Sequence, residues 1–257
     1  GAILCPLNTR LAGREIAAIL GDSGASLLLS HTDHASQITA ALDHDVPGLR
    51  RIVWCGEGAL PTTSLPQEPY AAFVTGADAD LPPGTAGGDS VAHLYYTSGT
   101  TGRPKGVMLT HANVVSHAWG TIAELQLSDA DTWAHVAPMF HLADAWATFA
   151  ITAVGGRHVI VPRFEPTDVL ETFRAERVSL TNLVPTMLNQ LVHHRGAGDV
   201  PYPSLRLLLS GGAPIAPHLV RRIMDTFGCE YVQTYGMTET SPYLTLSLLQ
   251  DHLRGLP

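Results

Sequence analysis

Apolar residues follow two different periods along this chain, and stretches of the two kinds alternate. Short apolar runs rich in β-branched and aromatic residues predict strands at Ser26–Ser30, Arg51–Cys55, Val91–Tyr96, Thr132–Ala137, Arg157–Val161, Ser179–Val184, Leu205–Ser210 and Glu230–Thr234. Stretches with helical periodicity predict helices at Ala12–Leu20, His111–Gln126, Thr167–Glu176 and Pro217–Phe227. Pro217 at the start of the last helix and Gly228 after its end are typical boundary residues.

This alternation predicts an α/β fold with mostly parallel sheets flanked by helices. Ligands of such sheets bind beyond the carboxyl ends of the strands, so the loops after Tyr96, Ser210 and Thr234 are the first candidates for a site. Residues Gly56–Ser90 are rich in Pro, Gly, Thr, Ala and Asp without a clear period. They predict a long connection with little regular structure.

Length and composition narrow the class of protein. The 257 residues suffice for one large α/β domain or two small ones, and the net charge of −8 argues against a nucleic-acid partner. Three widely separated cysteines argue against a disulfide framework and for a reducing cytoplasm. The chain begins at Gly1 inside an apolar stretch, with neither a signal peptide nor an apolar run of transmembrane length. We therefore expect a fragment of a cytoplasmic protein.

The segment after the strand Val91–Tyr96 has the composition of a phosphate-binding loop. Residues Thr97–Gly106 contain four aliphatic hydroxyls, three glycines and one lysine. Glycines let the backbone approach a ligand, hydroxyls and exposed N–H groups bind phosphate oxygens, and Lys105 can neutralise their charge. It is not a Walker A loop, because Pro104 precedes the lysine.

Two further loops follow predicted strands. The segment Ser210–Pro214, with two adjacent glycines, by itself predicts only a turn. The segment Tyr231–Thr240 groups an aromatic ring, a glycine, hydroxyls and one carboxylate. Tyr235 offers a face on which a base can stack, and Glu239 is a hard oxygen ligand suited to Mg²⁺.

Tyr96–His111, Ser210–Pro214 and Tyr231–Thr240 together, in this order, resemble the signatures of the adenylate-forming (AMP-binding) superfamily. That superfamily includes acyl-CoA synthetases, peptide-synthetase adenylation domains and firefly-type luciferases. The resemblance implies that this chain is the middle of the layered, large N-terminal domain. It implies ATP contacts from Thr97, Ser98, Gly99, Thr100, Thr101, Gly102, Lys105, Gly211, Gly212, Ala213, Pro214, Gln233, Thr234, Tyr235, Gly236, Met237 and Thr238. It also implies Thr97 and Glu239 as Mg²⁺ ligands, and catalytic roles for Thr97, Lys105, Glu239 and His141.

The segment Ala137–His141 resembles the part of the family that lines the acyl pocket. Peptide-synthetase domains usually carry an Asp near this point to pair with a substrate ammonium group, and here His141 stands in that neighbourhood. Asp144, three residues on, weakens this argument against an amino-acid substrate, and a hydrogen-bonded core histidine is an alternative for His141. Asn182–Thr186 resembles another pocket-lining stretch, although packing alone also explains an apolar strand end there.

The implied reaction is ATP-dependent activation of a carboxylic acid, aliphatic or fatty, followed by transfer to coenzyme A (CoA). This is an acid–thiol ligase of the acyl-CoA synthetase type, with ATP, Mg²⁺ and CoA. The alternatives are an adenylation domain that loads a carrier protein, a luciferase-like oxidase and a non-catalytic ATP-binding fragment. We expect a partial first lobe at residues 1–90 and an ATP- and acyl-binding lobe at 91–257. The family's C-terminal lysine and its ribose-binding Asp motif are not found in this chain, so we expect the isolated chain to be a weak catalyst, and a homodimer is left open.

Overall fold

The computed structural model describes residues 1–75, 84, 86–97 and 104–248. The chain forms two compact units, Gly1–Met108 and a second unit that begins at Leu109. The lobes expected from the sequence, 1–90 and 91–257, stay a prediction.

The first unit contains a small parallel sheet beside two helices. Its elements are α1 (Gly13–Ser23), β1 (Leu27–His31), α2 (Ala35–Leu42), β2 (Arg51–Cys55), β3 (Gln67–Pro69), α3 (Tyr70–Val74) and β4 (Val91–Thr97). The sheet order is β1-β2-β3, and both pairings are parallel. Its core is built from Ile16, Leu20, Leu28, Ile52 and Trp54, so α1 buries one apolar face against the sheet.

The segment Gly56–Ser90, for which little regular structure was expected, contains the short elements β3 and α3 among its described residues. The strand pairs with β2, and the indole Nε1 of Trp54 donates to Gln67 Oε1 at 2.8 Å. A three-residue strand has no readable period, and it forms here because β2 offers an unpaired edge.

A single larger sheet organises the second unit. The remaining elements are β5 (Lys105–Thr110), which pairs with β4, and then α4 (His111–Leu125), β6 (Thr132–His135), α5 (Leu142–Ala145), α6 (Ala147–Val154), β7 (Arg157–Ile160), α7 (Pro166–Ala175), β8 (Leu180–Asn182), α8 (Pro185–His193), β9 (Leu207–Ser210), α9 (Pro217–Phe227), β10 (Glu230–Gly236) and β11 (Tyr243–Ser247). The order is β11-β10-β9-β8-β6-β7, and only the β10–β11 pairing in this sheet is antiparallel. The predicted α/β fold with mostly parallel sheets and flanking helices is confirmed.

Two helical layers cover this sheet. One core cluster joins α7, α8 and α9 to the sheet through Phe173, Leu188, Ile223, Leu208 and Tyr231. Separately, α6 contacts β6, β7 and α4. The parallel strands therefore run between helices and present their carboxyl ends at one edge, where β6, β8, β9 and β10 lead into loops.

One carboxylate ties the opposite, amino-terminal ends of three strands together. Asp131 lies directly before β6, and its two oxygens accept hydrogen bonds from Arg206 Nε and Nη2, both at 2.9 Å. Ser179, directly before β8, donates to Asp131 Oδ1 at 2.8 Å, and the Ser128 N–H donates to Oδ2 at 2.9 Å. Burial alone would raise the pKa of Asp131, but these hydrogen bonds and the charge of Arg206 outweigh burial and lower it.

The helices α2, α3, α5, α6 and α8 were not predicted from the sequence. In α6 almost every residue is apolar, so no polar face marks a period. The helices α5 and α3 are too short to show one. None of the helices in the described ranges combines the length and apolar character needed to cross a membrane.

Candidate functional site

The phosphate-loop signature joins two neighbouring strands. Thr97 is the last residue of β4 and is half-buried, whereas Lys105 is the first residue of β5 and is exposed. The two strands pair with each other, so both residues stand where this connection leaves and enters the sheet. Ser98, Gly99, Thr100, Thr101 and Gly102 lie outside the described residues, and their role in phosphate binding stays a prediction.

Two residues of that signature, Tyr96 and Gly106, have structural roles. The Tyr96 hydroxyl donates to Asp22 Oδ2 at 2.6 Å. Burial, together with this hydrogen bond, raises the pKa of the Tyr96 phenol. A Cβ on Gly106 would stand 2.9 Å from Leu94 Cδ1 and 3.1 Å from Tyr96 Cζ, so Gly106 lets β5 lie against the Tyr96 ring.

The loop after β9 is held by a residue that sequence reasoning assigned to the nucleotide. Thr234 is 4% exposed, and its Oγ1 donates to the Ser210 carbonyl at 3.2 Å. A Cβ on Gly211 would collide with Thr234 Oγ1 and stand 2.8 Å from its carbonyl oxygen. Gly212 adopts a φ of 77°, which favours glycine, and residues 212–214 are exposed. Gly211 and Thr234 therefore shape the loop, while Gly212, Ala213 and Pro214 face outward.

The loop after β10 closes on the carbonyl of Pro242, which follows a cis peptide bond. This carbonyl accepts hydrogen bonds from Met237 N at 3.0 Å and from Thr240 Oγ1 at 2.5 Å. A Cβ on Gly236 would collide with the same oxygen. The loop 236–242 is thus compact, and Gly236 is needed for its close packing.

The groups implied in ligand binding project from this compact loop. The Tyr235 ring is 61% exposed and Met237 is 45% exposed. Glu239 is exposed in a short 3-10 turn, Thr238–Thr240, and Thr238 is half-buried. Gln233 is already engaged, because its Oε1 accepts from the Tyr231 hydroxyl at 2.6 Å. Tyr235 at the end of β10 therefore offers an aromatic face to solvent, and Glu239 in the loop offers one hard oxygen ligand.

Asp144 is not the free carboxylate that its position in the sequence suggested. It is fully buried, its Oδ1 accepts from Trp133 Nε1 at 3.2 Å, and its Oδ2 lies 2.6 Å from His135 Nδ1. His135 Nε2 in turn lies 2.9 Å from His158 Nδ1, and His158 Nε2 lies 3.0 Å from Thr152 Oγ1. Burial raises the pKa of Asp144 against the opposing effects of His135 and Trp133. The carboxylate is the buried end of a polar chain that runs from Asp144 and His135 through half-buried His158 to exposed Thr152.

A second anchor holds α5 through its backbone. The carbonyl of Ala143 accepts from Asn182 Nδ2 at 2.8 Å, from Trp146 Nε1 at 3.1 Å and from the Tyr243 hydroxyl at 3.2 Å. Sequence reasoning missed Tyr243 and Trp146, since residues separated by about a hundred positions meet only in the folded chain. One signal was available in the sequence: Trp133 and His135 are two positions apart and therefore share one face of β6, which indicates polar partners on that face.

His141 stands just before α5 and is exposed, with its ring 4.6 Å from that of Phe140. The alternative of a core histidine is therefore wrong. Its backbone N–H donates to the Pro138 carbonyl at 3.0 Å, which turns the segment after β6 back toward α5. Segment 137–141 and loops 211–214 and 236–242 all lie at the carboxyl edge of one sheet.

This arrangement of loops belongs to a known family. A family model described as AMP-binding enzyme matches residues 1–256. The chain belongs to the AMP-binding enzyme family. A feruloyl-CoA synthase from Amycolatopsis sp is 36% identical over 243 residues, which cover 94% of this chain and 45% of that protein. The long-chain-fatty-acid–CoA ligase FadD13 from Mycobacterium tuberculosis is 34% identical over 255 residues, which cover 99% of this chain and 48% of that protein.

Solved structures agree with the fold. The inhibitor-bound N-terminal domain of FACL13 from Mycobacterium tuberculosis has a TM-score of 0.86 at 32% identity, and the match covers 99% of this chain and 61% of that one. The o-succinylbenzoate CoA synthetase of Bacillus subtilis, solved with ATP and magnesium, has a TM-score of 0.77 at 26% identity, covering 99% of this chain and 48% of that one. The chain spans about half the length of the curated relatives it matches.

Proposed function

We propose that the complete gene product activates a carboxylic acid as its acyl-adenylate and transfers the acyl group to the thiol of CoA. The observation that carries this proposal is the order of three signature segments, Tyr96–His111, Ser210–Pro214 and Tyr231–Thr240, in a chain of the AMP-binding family. Its relatives named above are a CoA synthase and a CoA ligase. A carrier-protein thiol as acceptor would be the runner-up.

The reaction has two balanced halves. An oxygen of the acid attacks the α-phosphorus of ATP, the bond from that phosphorus to the bridging oxygen breaks, and pyrophosphate leaves. The CoA sulfur then attacks the acyl carbon, loses its proton to solvent or a base, and AMP leaves with the carboxyl oxygen that had bonded to phosphorus. Both halves depend on positioning and on compensation of phosphate charge more than on covalent help from the protein.

Side chains of the signatures Tyr96–His111 and Tyr231–Thr240 suit these tasks. Lys105 supplies the positive charge of the phosphate-loop signature, and Tyr235 offers its exposed face to the adenine. The Thr97 hydroxyl and the Glu239 carboxylate are oxygen donors of the kind Mg²⁺ uses together with substrate phosphates. Mg²⁺ that enters with ATP would neutralise part of the phosphate charge. No group of three or more His, Cys, Asp or Glu side chains within the described ranges is arranged to hold a metal ion.

We propose an aliphatic acid rather than an amino acid as substrate. An amino-acid substrate needs a carboxylate for its ammonium group, and Asp144, the candidate in this part of the chain, is buried and bonded to Trp133 and His135. Apolar side chains are exposed in loops at the carboxyl edge instead, with Met139 after β6 and Val184 after β8 at 36% and 39% exposure. The similarity to a feruloyl-CoA synthase makes an aryl acid the alternative substrate.

A pyrophosphate-exchange screen of the complete gene product tests this proposal, with acetate through palmitate, aryl acids and amino acids as substrates. We expect the highest kcat/KM with an aliphatic acid. Preferential turnover of an amino acid would contradict the substrate assignment, and exchange with none of the acids would contradict the function.

The metal assignment has its own test in Glu239→Gln. This variant should lose at least about tenfold in exchange rate at limiting Mg·ATP, because an amide is a poorer Mg²⁺ ligand than a carboxylate. Glu230→Gln is the matched control, since Glu230 is exposed at the opposite end of β10. Equal activity of the two variants would remove Glu239 from the metal site.

A further inference from the structure

Tyr243 follows directly on the loop that carries Glu239, and the loop is fastened to it. The Pro242 carbonyl, one residue before Tyr243, accepts from Met237 N and from Thr240 Oγ1. Gly236 packs so closely on this carbonyl that a Cβ would not fit. A displacement of loop 236–242 must therefore move the backbone of Tyr243 or break these hydrogen bonds.

Tyr243 itself is fixed at three points. Its hydroxyl accepts from Trp146 Nε1 at 2.9 Å and donates to the Ala143 carbonyl at 3.2 Å. Its backbone N–H donates to His117 Nε2 at 3.3 Å, and its ring packs on the rings of Trp146 and His117, with centroids 5.3 Å and 5.5 Å away. Burial raises the pKa of the phenol, so the hydroxyl remains a donor at neutral pH.

From Ala143 the contacts continue to the segment assigned to the acid. Ala143 lies in α5. The first turn of this helix is hydrogen-bonded to His141, since Asp144 N donates to the His141 carbonyl at 3.2 Å. His141 N donates to the Pro138 carbonyl at 3.0 Å. The helix α5 is held at Ala143 by Tyr243 and at Asp144 by His135. It can therefore move as one rigid turn when either loop 236–242 or segment 137–141 changes position.

Resting on the proposed function, we infer that Tyr243 is a positioning residue that couples nucleotide bound at loop 236–242 to the position of the acid-binding segment 137–141. The coupling runs through the Pro242 and Ala143 carbonyls, both of which are backbone groups held by several donors. Such coupling is reciprocal, so acid bound at segment 137–141 also stabilises the nucleotide-bound loop by the same factor. It favours binding of the two substrates together over binding of either alone.

Hydrogen–deuterium exchange of the complete gene product tests this inference, with Mg²⁺ and α,β-methylene-ATP as the probe. In the parent protein, the nucleotide analogue should slow amide exchange at residues 139–146 by about fivefold or more, the lower end of usual allosteric coupling. In Tyr243→Phe, which keeps the ring and removes both hydroxyl hydrogen bonds, the analogue should still bind while this slowing disappears.

Tyr202→Phe is the matched control. Tyr202 is a buried tyrosine of the second unit, and its hydroxyl donates to the Ala197 carbonyl at 2.9 Å, away from the loops. It should keep the nucleotide-dependent slowing even if it loses stability. If Tyr243→Phe does not fold, Trp146→Phe removes the indole donor that Tyr243 and Ala143 share and should weaken the slowing, because only the Tyr243–Ala143 hydrogen bond then remains.

The outcomes separate the two proposals. Failure of the parent protein to bind α,β-methylene-ATP would overturn both the proposed function and the coupling. Binding without slowed exchange at residues 139–146, or slowing that persists in Tyr243→Phe, would overturn the coupling alone. Loss of the slowing in Tyr243→Phe and its retention in Tyr202→Phe would support it.

Discussion

Asp131→Ala is the perturbation whose magnitude the structure constrains best. The substitution removes an acceptor of four hydrogen bonds, two from Arg206 and one each from Ser179 and Ser128. The Asp131 side chain is 5% exposed, whereas Arg206 is 36% exposed. Breaking a buried ion pair costs about 3–5 kcal/mol, and the stranded Arg206 can reach water, so we expect the low end, about 3 kcal/mol.

The assay is thermal and urea unfolding of the chain. For a domain of this size, about 3 kcal/mol corresponds to a fall in Tm of roughly 6–12 °C. Asp129→Ala is the control, because Asp129 lies exposed in the same loop. A loss below about 1 kcal/mol, or one equal to that of Asp129→Ala, would refute the view that this carboxylate ties β6, β8 and β9 together.

The pH dependence of the stability difference between the parent chain and Asp131→Ala provides a second check. The pKa of Asp131 is lower in the folded chain than its ordinary value. Its contribution to the free energy of unfolding is therefore complete above the ordinary carboxyl pKa of about 4 and is lost as the pH falls through the lower folded value. The stability gap between the parent chain and Asp131→Ala should be constant from pH 5 to 7 and should shrink only in strong acid.

Two further predictions concern the site. Gly211→Ala should weaken binding of Mg²⁺ and α,β-methylene-ATP by at least about tenfold in calorimetry, because the new Cβ collides with Thr234 and displaces loop 211–214. Gly120→Ala, in α4 with nothing within 4 Å of the new Cβ, should leave binding unchanged and raise stability by about 0.5–1 kcal/mol; equal binding in both variants would refute the steric role of Gly211. Burial lowers the pKa of His117 to about 4, so its imidazole should stay neutral at pH 6 and titrate near pH 4 in ¹H–¹⁵N NMR spectra. Since this folded pKa lies below the unfolded one, His117 adds stability above pH 6.5 that is lost as the pH falls toward 4, and a midpoint near 6.5 would contradict the burial.

Elements with strong local signals were predictable. The helix Pro217–Phe227 and the strand Arg51–Cys55 have the bounds expected from the sequence, because an apolar stripe ended by Pro and Gly, or a compact apolar run, needs no partner to be recognised. The strand Gln67–Pro69 and the edge strand Tyr243–Ser247 were missed, since each forms only beside a neighbouring strand. The helix Ala147–Val154 was missed because its residues are nearly all apolar.

The features of the candidate site were likewise predictable only in part. The sequence by itself determined the fold class and the order of the three loops, because backbone periodicity and short signatures are properties of neighbouring residues. Only the tertiary structure decided which groups remain available to a ligand. Asp144 is hydrogen-bonded to Trp133 and His135, and Thr234 is buried and bonded to the Ser210 carbonyl. Glu239 and Tyr235, in contrast, face solvent. Which side chains stay available depends on hydrogen-bond partners from distant parts of the chain. A buried polar group must be paired inside the protein, so these partners decide whether it can also bind a ligand.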